Sequence, residues 1–88
     1  MNITDTRVRI IENSDSKLKA IASIVIEGCF AIHDIKIIEG NEGVFIAMPS
    51  RKTAEGTFKD IAHPINSETR EMVKNIILDA YKKAVEEI

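Results

Sequence analysis

The side chains that could perform catalysis or bind a metal are Cys29, His33, Asp34 and His63. A thiol or an imidazole acts as nucleophile, general base or ligand only when a second such group lies within hydrogen-bond reach. Cys29 and His33 share the parity of one predicted strand, which separates them by about 13 Å. His33 and Asp34 would point to opposite faces of a regular strand. We therefore predict no catalytic residue, and we interpret both histidines as hydrogen-bonding residues and the cysteine as a small, buried apolar residue.

The sequence also offers no cofactor or metal site. Its single cysteine cannot form an intramolecular disulfide and cannot by itself anchor a zinc knuckle. We find no glycine-rich phosphate loop and no convincing pair of carboxylates. No apolar run approaches the ~18 residues of a membrane span, and the amino terminus lacks the layout of a signal peptide. We therefore predict a cytoplasmic protein with no cofactor, no metal and no membrane partner, and not an enzyme.

Phosphate binding is the other chemistry that the sequence could support. Arg51 and Lys52 are adjacent in a segment without large apolar side chains. Arg70 falls in the first turn of a predicted helix, where backbone N–H groups favour anions. Lys74 shares the helical face of Arg70 because it lies four residues further along the chain.

Net charge does not decide whether these cations bind anything. The 88 residues include 12 Lys and Arg and 14 Asp and Glu, for a formal charge of −2. Residues 51–74 contain five basic and four acidic side chains, while Arg7 and Arg9 form a separate pair on the first predicted strand. Taken alone, this arithmetic favours ordinary solvated surface charges, and it excludes only a strongly basic tract.

The elements that would position these residues belong to one domain over residues 1–88. Alternation of apolar residues predicts strands at residues 3–12, 18–27, 30–39, 44–48 and 58–62. Turn formers separate the strands at residues 13–16, at Gly28 and at residues 40–43, and residues 50–57 are typical of an exposed loop.

A single helix closes the chain. Apolar residues recur at three- and four-residue spacing, namely Met72, Val73, Ile76, Ile77, Ala80, Ala84, Val85 and Ile88. Asn66 or Ser67 is a suitable N-cap for this helix of about twenty residues. The predicted fold class is therefore α+β: an antiparallel five-stranded β meander with a C-terminal α-helix packed on one face.

The middle strands carry apolar residues on both faces, such as Ile21 and Val25 opposite Ala22 and Ile24. One helix covers only one face of a sheet, and an uncovered apolar face points to a partner. A symmetric homodimer is the simplest partner, through this face or through the edge strands. Ordinary strand formers on a solvated face are the alternative.

Four segments of the chain resemble, in order, the SpoVG family of bacteria, which is named for stage V sporulation protein G. VFIAMPSRK at residues 44–52 is similar to the family segment GLFVAMPSRK, and FKDIAHPIN at residues 58–66 is similar to FxDIAHPIN. TDTRVR at residues 4–9 and HDIKII at residues 33–38 resemble the opening and central family patterns. The match extends over nearly the whole chain.

The resemblance implies a small dimer that binds DNA, and RNA in some members, and that regulates gene expression with effects on cell division, septation and sporulation. Carried over by position, the nucleic-acid-binding residues are Arg51, Lys52, Arg70 and, with less support from a fixed motif, Lys74. Members often carry a further acidic or polar tail, whereas this sequence stops at Ile88. The alternative is a protein-interaction module in cell division that binds no nucleic acid.

Overall fold

The computed structural model describes residues 2–11 and 16–87, and their arrangement is α+β, as predicted. Along the chain the elements are β1 (Ile3–Ile10), β2 (Leu18–Ile26), β3 (Phe30–Gly40), β4 (Gly43–Ala47), β5 (Ser50–Lys52), β6 (Phe58–Asp60) and α1 (Ser67–Glu86). Three residues of the predicted turn at residues 13–16 lie outside the described residues, as does Ile88.

The first four strands form one antiparallel sheet in which each strand pairs with the next. Gly28 has φ +65° in the β2–β3 turn, and Glu27 before it has φ +54°. Consecutive residues with positive φ match the right-handed twist of the flanking strands. Gly40 pairs with Gly43 across the β3–β4 turn. The predicted meander is therefore confirmed for these four strands and both turns.

The predicted fifth strand does not extend this sheet. It is β6, and it pairs with β5 in a separate two-stranded sheet, which we call the β5–β6 ribbon. Residues 50–57, expected to be a loop, contain β5 and the turn of this ribbon. Pro49 lies between β4 and β5 and has no N–H to donate to a ladder, so the chain leaves the main sheet there.

α1 packs on one face of the main sheet. The core residues are apolar and 0–2% exposed, and they are Ala20, Ala22, Ile24, Ile35, Ile37, Val73 and Ile77. On the helix, Tyr81 continues the line of Val73 and Ile77 at four-residue spacing and packs against this cluster. Val85, which the sequence pattern assigned to the apolar stripe, is 44% exposed. The buried stripe is thus narrower than predicted.

Asn66 caps the amino terminus of α1. Its backbone is extended, and its Oδ1 accepts a hydrogen bond of 2.8 Å from the Thr69 N–H. This bond satisfies one of the N–H groups that the first helical turn leaves unpaired. Of the two residues considered for this role, Asn66 is therefore the cap. Within the described residues, no helix has both the length and the apolar character required to cross a membrane.

Substitutions at two valines of α1 measure how much the helix–sheet contact contributes to the free energy of unfolding. Val73→Ala removes two methyl groups from a site that is 2% exposed, and we expect it to lower the free energy of unfolding by about 2 kcal/mol. Val85→Ala is the matched control, since it makes the same change on the exposed side of the helix and should leave stability nearly unchanged. Urea titrations of both variants measure the difference, and equal losses would contradict the assigned core.

Candidate nucleic-acid interface

The β5–β6 ribbon aligns two cations directly across from each other. Arg51 pairs with Lys59, Lys52 pairs with Phe58, and Ser50 pairs with Asp60. All six of these residues are exposed. Because alternate residues of a strand point to opposite faces, Arg51 and Lys59 form a purely cationic face. Lys52 and Phe58 lie on the other face together with Ser50 and Asp60.

Hydrogen bonds at both ends hold the ribbon in this register. At its base, the Ile61 N–H donates to the Pro49 carbonyl at 2.7 Å. At its tip, the Thr53 N–H donates to the Thr57 carbonyl at 2.7 Å, and the two threonine hydroxyls lie 2.9 Å apart. Gly56, with φ +85°, supplies the left-handed residue of the turn. The cations are thus presented on a defined ribbon rather than on an irregular loop.

The sequence prediction treated Arg51 and Lys52 as one pair of adjacent cations. The ribbon instead directs them to opposite faces and gives Arg51 a new neighbour, Lys59. Lys59 was counted among the basic residues but was not predicted to bind, because the pairing that aligns it with Arg51 is not visible in the sequence order. Phe58 was assigned only to a predicted strand, although it is 72% exposed.

Arg70 lies beside the ribbon, on the first turns of α1. It lines a shallow depression with Met48 just after β4, with His63 and Pro64, and with Asp60 of the ribbon. Asp60 belongs to the same ribbon face as Lys52, so this face leads toward Arg70. The structure therefore places Arg70 beside Asp60 at the base of the ribbon, whereas Lys52 lies nearer its tip.

Lys74 lies further from the ribbon. It lines a different depression, which the β3–β4 turn forms with Gly40, Glu42 and Phe45. The carboxylate of Glu42 lowers the attraction of this depression for an anion. Lys74 therefore lies apart from the ribbon cations, and the depression that Arg70 lines also contains a carboxylate, that of Asp60.

In the described residues, no acidic side chain lies within ion-pair distance of the ribbon cations. Across residues 2–11 and 16–87, the ion pairs are Arg7–Asp5 at 3.1 Å and Lys19–Glu39 at 3.4 Å, and both lie on the main sheet. Arg51, Lys52 and Lys59 thus keep their charge available to an external anion.

The chain matches a known protein family over most of its length. The family model for SpoVG matches residues 1–83 of the chain. The chain belongs to the SpoVG family. Its resemblance to that family, first based on four short segments, is thereby confirmed.

Several relatives, each named "Putative septation protein SpoVG", are similar over almost their whole length. The protein of Clostridium perfringens is 61% identical over 83 residues, which cover 94% of this chain and 91% of the relative. The protein of Caldicellulosiruptor bescii is 56% identical over 85 residues, covering 97% and 96%. The protein of Agathobacter rectalis is 54% identical over 88 residues, covering 100% of both chains.

In this SpoVG chain, His33 and Asp34 are not arranged as a regular strand would place them. Ala22 pairs with Ile35 and Ile24 pairs with Ile32, so Ser23 alone opposes two residues of β3. This is a β-bulge, and Asp34 has φ +62° in it. His33 and Asp34 consequently line the same depression on the uncovered face of the sheet, and the expectation that they face opposite sides was wrong.

Both histidines make hydrogen bonds, as interpreted from the sequence. His33 Nδ1 lies 3.1 Å from the Ser23 hydroxyl, and His63 Nδ1 lies 3.0 Å from the Pro64 carbonyl. Cys29 lies in the turn before β3 and is exposed, which differs from the apolar interior role assigned to it. Within the described part of the chain, no group of three His, Cys, Asp or Glu residues could hold a metal ion.

The face of the sheet opposite α1 is mixed in character. It carries charged and polar side chains from three strands, which are Arg7, Arg9, Ser23, His33, Asp34 and Lys36. Ile21 lies among them and also lines a depression with Pro49 and Ile61, close to the base of the ribbon. Ile61 is 65% exposed. Apolar side chains on this face thus lie both near the ribbon, at Ile21, and toward the β3–β4 turn, where Phe45 is 47% exposed and pairs with Ile38.

The left-handed backbone at Asp34 predicts how substitutions there change stability, because this conformation disfavours β-branched residues and tolerates asparagine. Asp34→Val should lower the free energy of unfolding by about 1–2 kcal/mol. Asp34→Asn removes the charge, keeps a side chain that accepts this backbone, and should change stability by less than about 0.5 kcal/mol. Chemical denaturation measures both. Equal losses would mean that the carboxylate, not the backbone conformation, is the constraint.

Proposed function

We propose that the protein is a dimeric regulator of the bacterial cytoplasm that binds DNA or RNA through the β5–β6 ribbon and the start of α1, and that acts in septation and sporulation. It would work by binding rather than by catalysis. The observation that carries the proposal is the exposed cross-strand pair of Arg51 and Lys59.

Like charges directly opposite each other destabilise a sheet. The ribbon retains such a pair in a sheet of only two short strands, where each local interaction matters. A phosphate bound between the two side chains would convert this repulsion into attraction on both sides. The pair is therefore better explained by an external polyanion than by the stability of the hairpin.

Family membership supports the same function. Relatives are named as septation proteins, and the resemblance implies regulation through nucleic acid. Lys52 and Arg70 add cations on the second ribbon face and at the adjacent helix start, where N–H groups also favour anions.

Dimerisation would compensate for the weak charge of each copy. The chain carries a net charge of −2, so one ribbon supplies only a few phosphate contacts. Two copies related by a two-fold axis would place two ribbons on one nucleic acid. The apolar patch of Ile21 and Ile61 at the base of the ribbon is the surface that we assign to this contact.

A protein-interaction module without nucleic acid is the second candidate. The large apolar residues on and after β6 favour it, since Phe58, Ile61 and Ile65 are 72%, 65% and 87% exposed. This candidate predicts that the purified protein captures a protein partner and shifts neither DNA nor RNA.

The ribbon variant Arg51→Ala/Lys59→Ala separates binding from stability. If each copy of the wild-type dimer neutralises about three phosphates, its log–log salt slope on duplex DNA is about −5. The variant removes four cations per dimer, so the slope should fall to about −2. Stability should not decrease, because a like-charge pair is lost. Mobility-shift titrations at several salt concentrations and urea denaturation provide the two readouts.

The control for this variant is Lys82→Ala/Lys83→Ala, which removes the same charge from the exposed far end of α1. It should keep the wild-type slope. A flat slope for the wild-type protein would exclude binding through phosphate contacts. Equal slopes for the ribbon variant and the wild type would exclude the ribbon as the interface.

Dimerisation has a separate test at Ile61. Ile61→Glu places a charge in the proposed contact, and light scattering should then give the mass of one chain where the wild type gives two. Val85→Glu introduces the same charge at an exposed apolar site on α1 and should leave the dimer intact. A monomeric wild type, or two variants that behave alike, would contradict the assigned surface.

A further inference from the structure

The second face of the β5–β6 ribbon contains an exposed aromatic ring next to a cation. Phe58 is 72% exposed, and its direct cross-strand neighbour is Lys52. Side chains directly opposite in an antiparallel pair have Cβ atoms about 5 Å apart. The face therefore offers one flat apolar surface and one ammonium group at the spacing of adjacent side chains.

We propose that the Lys52–Phe58 face holds an unpaired nucleotide of a single-stranded nucleic acid, with the base stacked on the Phe58 ring and a phosphate at the Lys52 ammonium. This inference rests on the proposed function and adds the class of nucleic acid that the ribbon prefers. The two ribbon faces then have different tasks. Arg51 and Lys59 contact the backbone of any nucleic acid, whereas Phe58 requires a base with a free face.

The neighbouring polar residues fit a base better than a second phosphate. Ser50 and Asp60 form the next cross-strand pair on the same face. Ser50 lines the depression of Ile21 and Ile61, which leaves the Asp60 carboxylate to accept hydrogen bonds from the edge of a stacked base, and a carboxylate repels phosphate. The phosphate is therefore expected on the Lys52 side, and the base edge toward Asp60.

Charge argues against a second copy of this chain as the occupant of the Phe58 ring. The ribbon strands carry Arg51, Lys52 and Lys59 against the single acid Asp60. A symmetric contact between two ribbons would bring these cations together, and like charges across an interface are unfavourable. A polyanion with exposed bases suits both the charge and the ring.

A duplex cannot use the ring in the same way, because its bases are already stacked on their neighbours. Exposed aromatic rings beside cations bind single strands by stacking, with little dependence on sequence. An unpaired base also exposes both faces and its full edge. Phe58 is thus expected to contribute to single-strand affinity and to add little on a duplex.

The matched substitutions at Phe58 keep or remove the ring while preserving an apolar side chain. Phe58→Leu should weaken binding to oligothymidylate and oligouridylate by roughly tenfold or more, and should leave duplex binding unchanged. Phe58→Trp should retain single-strand affinity. Because the chain contains no other tryptophan, its fluorescence reports the site directly and should be quenched by the single strand but not by the duplex.

Light scattering and thermal unfolding of both variants should match the wild type, which separates stacking from roles in dimerisation or folding. Wild-type single-strand affinity in Phe58→Leu, or an equal loss on single strand and duplex, would overturn the stacking site. If that happened while Arg51→Ala/Lys59→Ala still lowered the salt slope as expected, the proposed function would stand. If the wild-type protein bound no nucleic acid, both proposals would fall.

Discussion

The contact between α1 and one face of the main sheet is the constraint on which the rest of this structure depends. Every fully buried side chain in the described ranges comes from β2, β3 or α1, and all of them are apolar. β5 and β6 pair with each other and not with the main sheet, and all their residues are exposed, so they contribute nothing to this core. Their residue types are therefore free to serve contacts outside the chain.

The core also determines where the ribbon and the helix start lie relative to each other. Pro49 ends the main-sheet pairing on one side of the ribbon, and the Asn66 cap starts α1 on the other. Because β4 and α1 both pack at the core, the ends of these two elements hold Arg70 beside Asp60. The sheet and helix thus present a short two-stranded ribbon. Isolated two-stranded hairpins are marginally stable, and a bound polyanion would favour the ordered form.

Local patterns in the sequence predict most of this fold but not the ribbon. The alternation in β2 and β3, Gly28 in its turn, and the Asn66 cap are local signals, and each appears where the pattern places it. The pairing of Arg51 with Lys59 depends on a hairpin turn of sequence TAEGT, which has no large apolar side chain and resembles a loop. The bulge at Asp34 has no local signal either, since only the register between β2 and β3 reveals it. Lys52 and Arg70 were named from residue type, position and family resemblance, whereas the roles of Lys59 and Phe58 required the cross-strand register.

The central claim is that the β5–β6 ribbon, rather than the uncovered sheet face or the far end of α1, is where nucleic acid binds. Backbone amide chemical shifts recorded during titration with a single-stranded oligonucleotide test it most directly. The account predicts the largest changes in β5, in β6 and at Arg70, with the amides around His33 and Lys82 unaffected. Changes centred on the bulge at His33 and Asp34, with the ribbon amides unmoved, would contradict it.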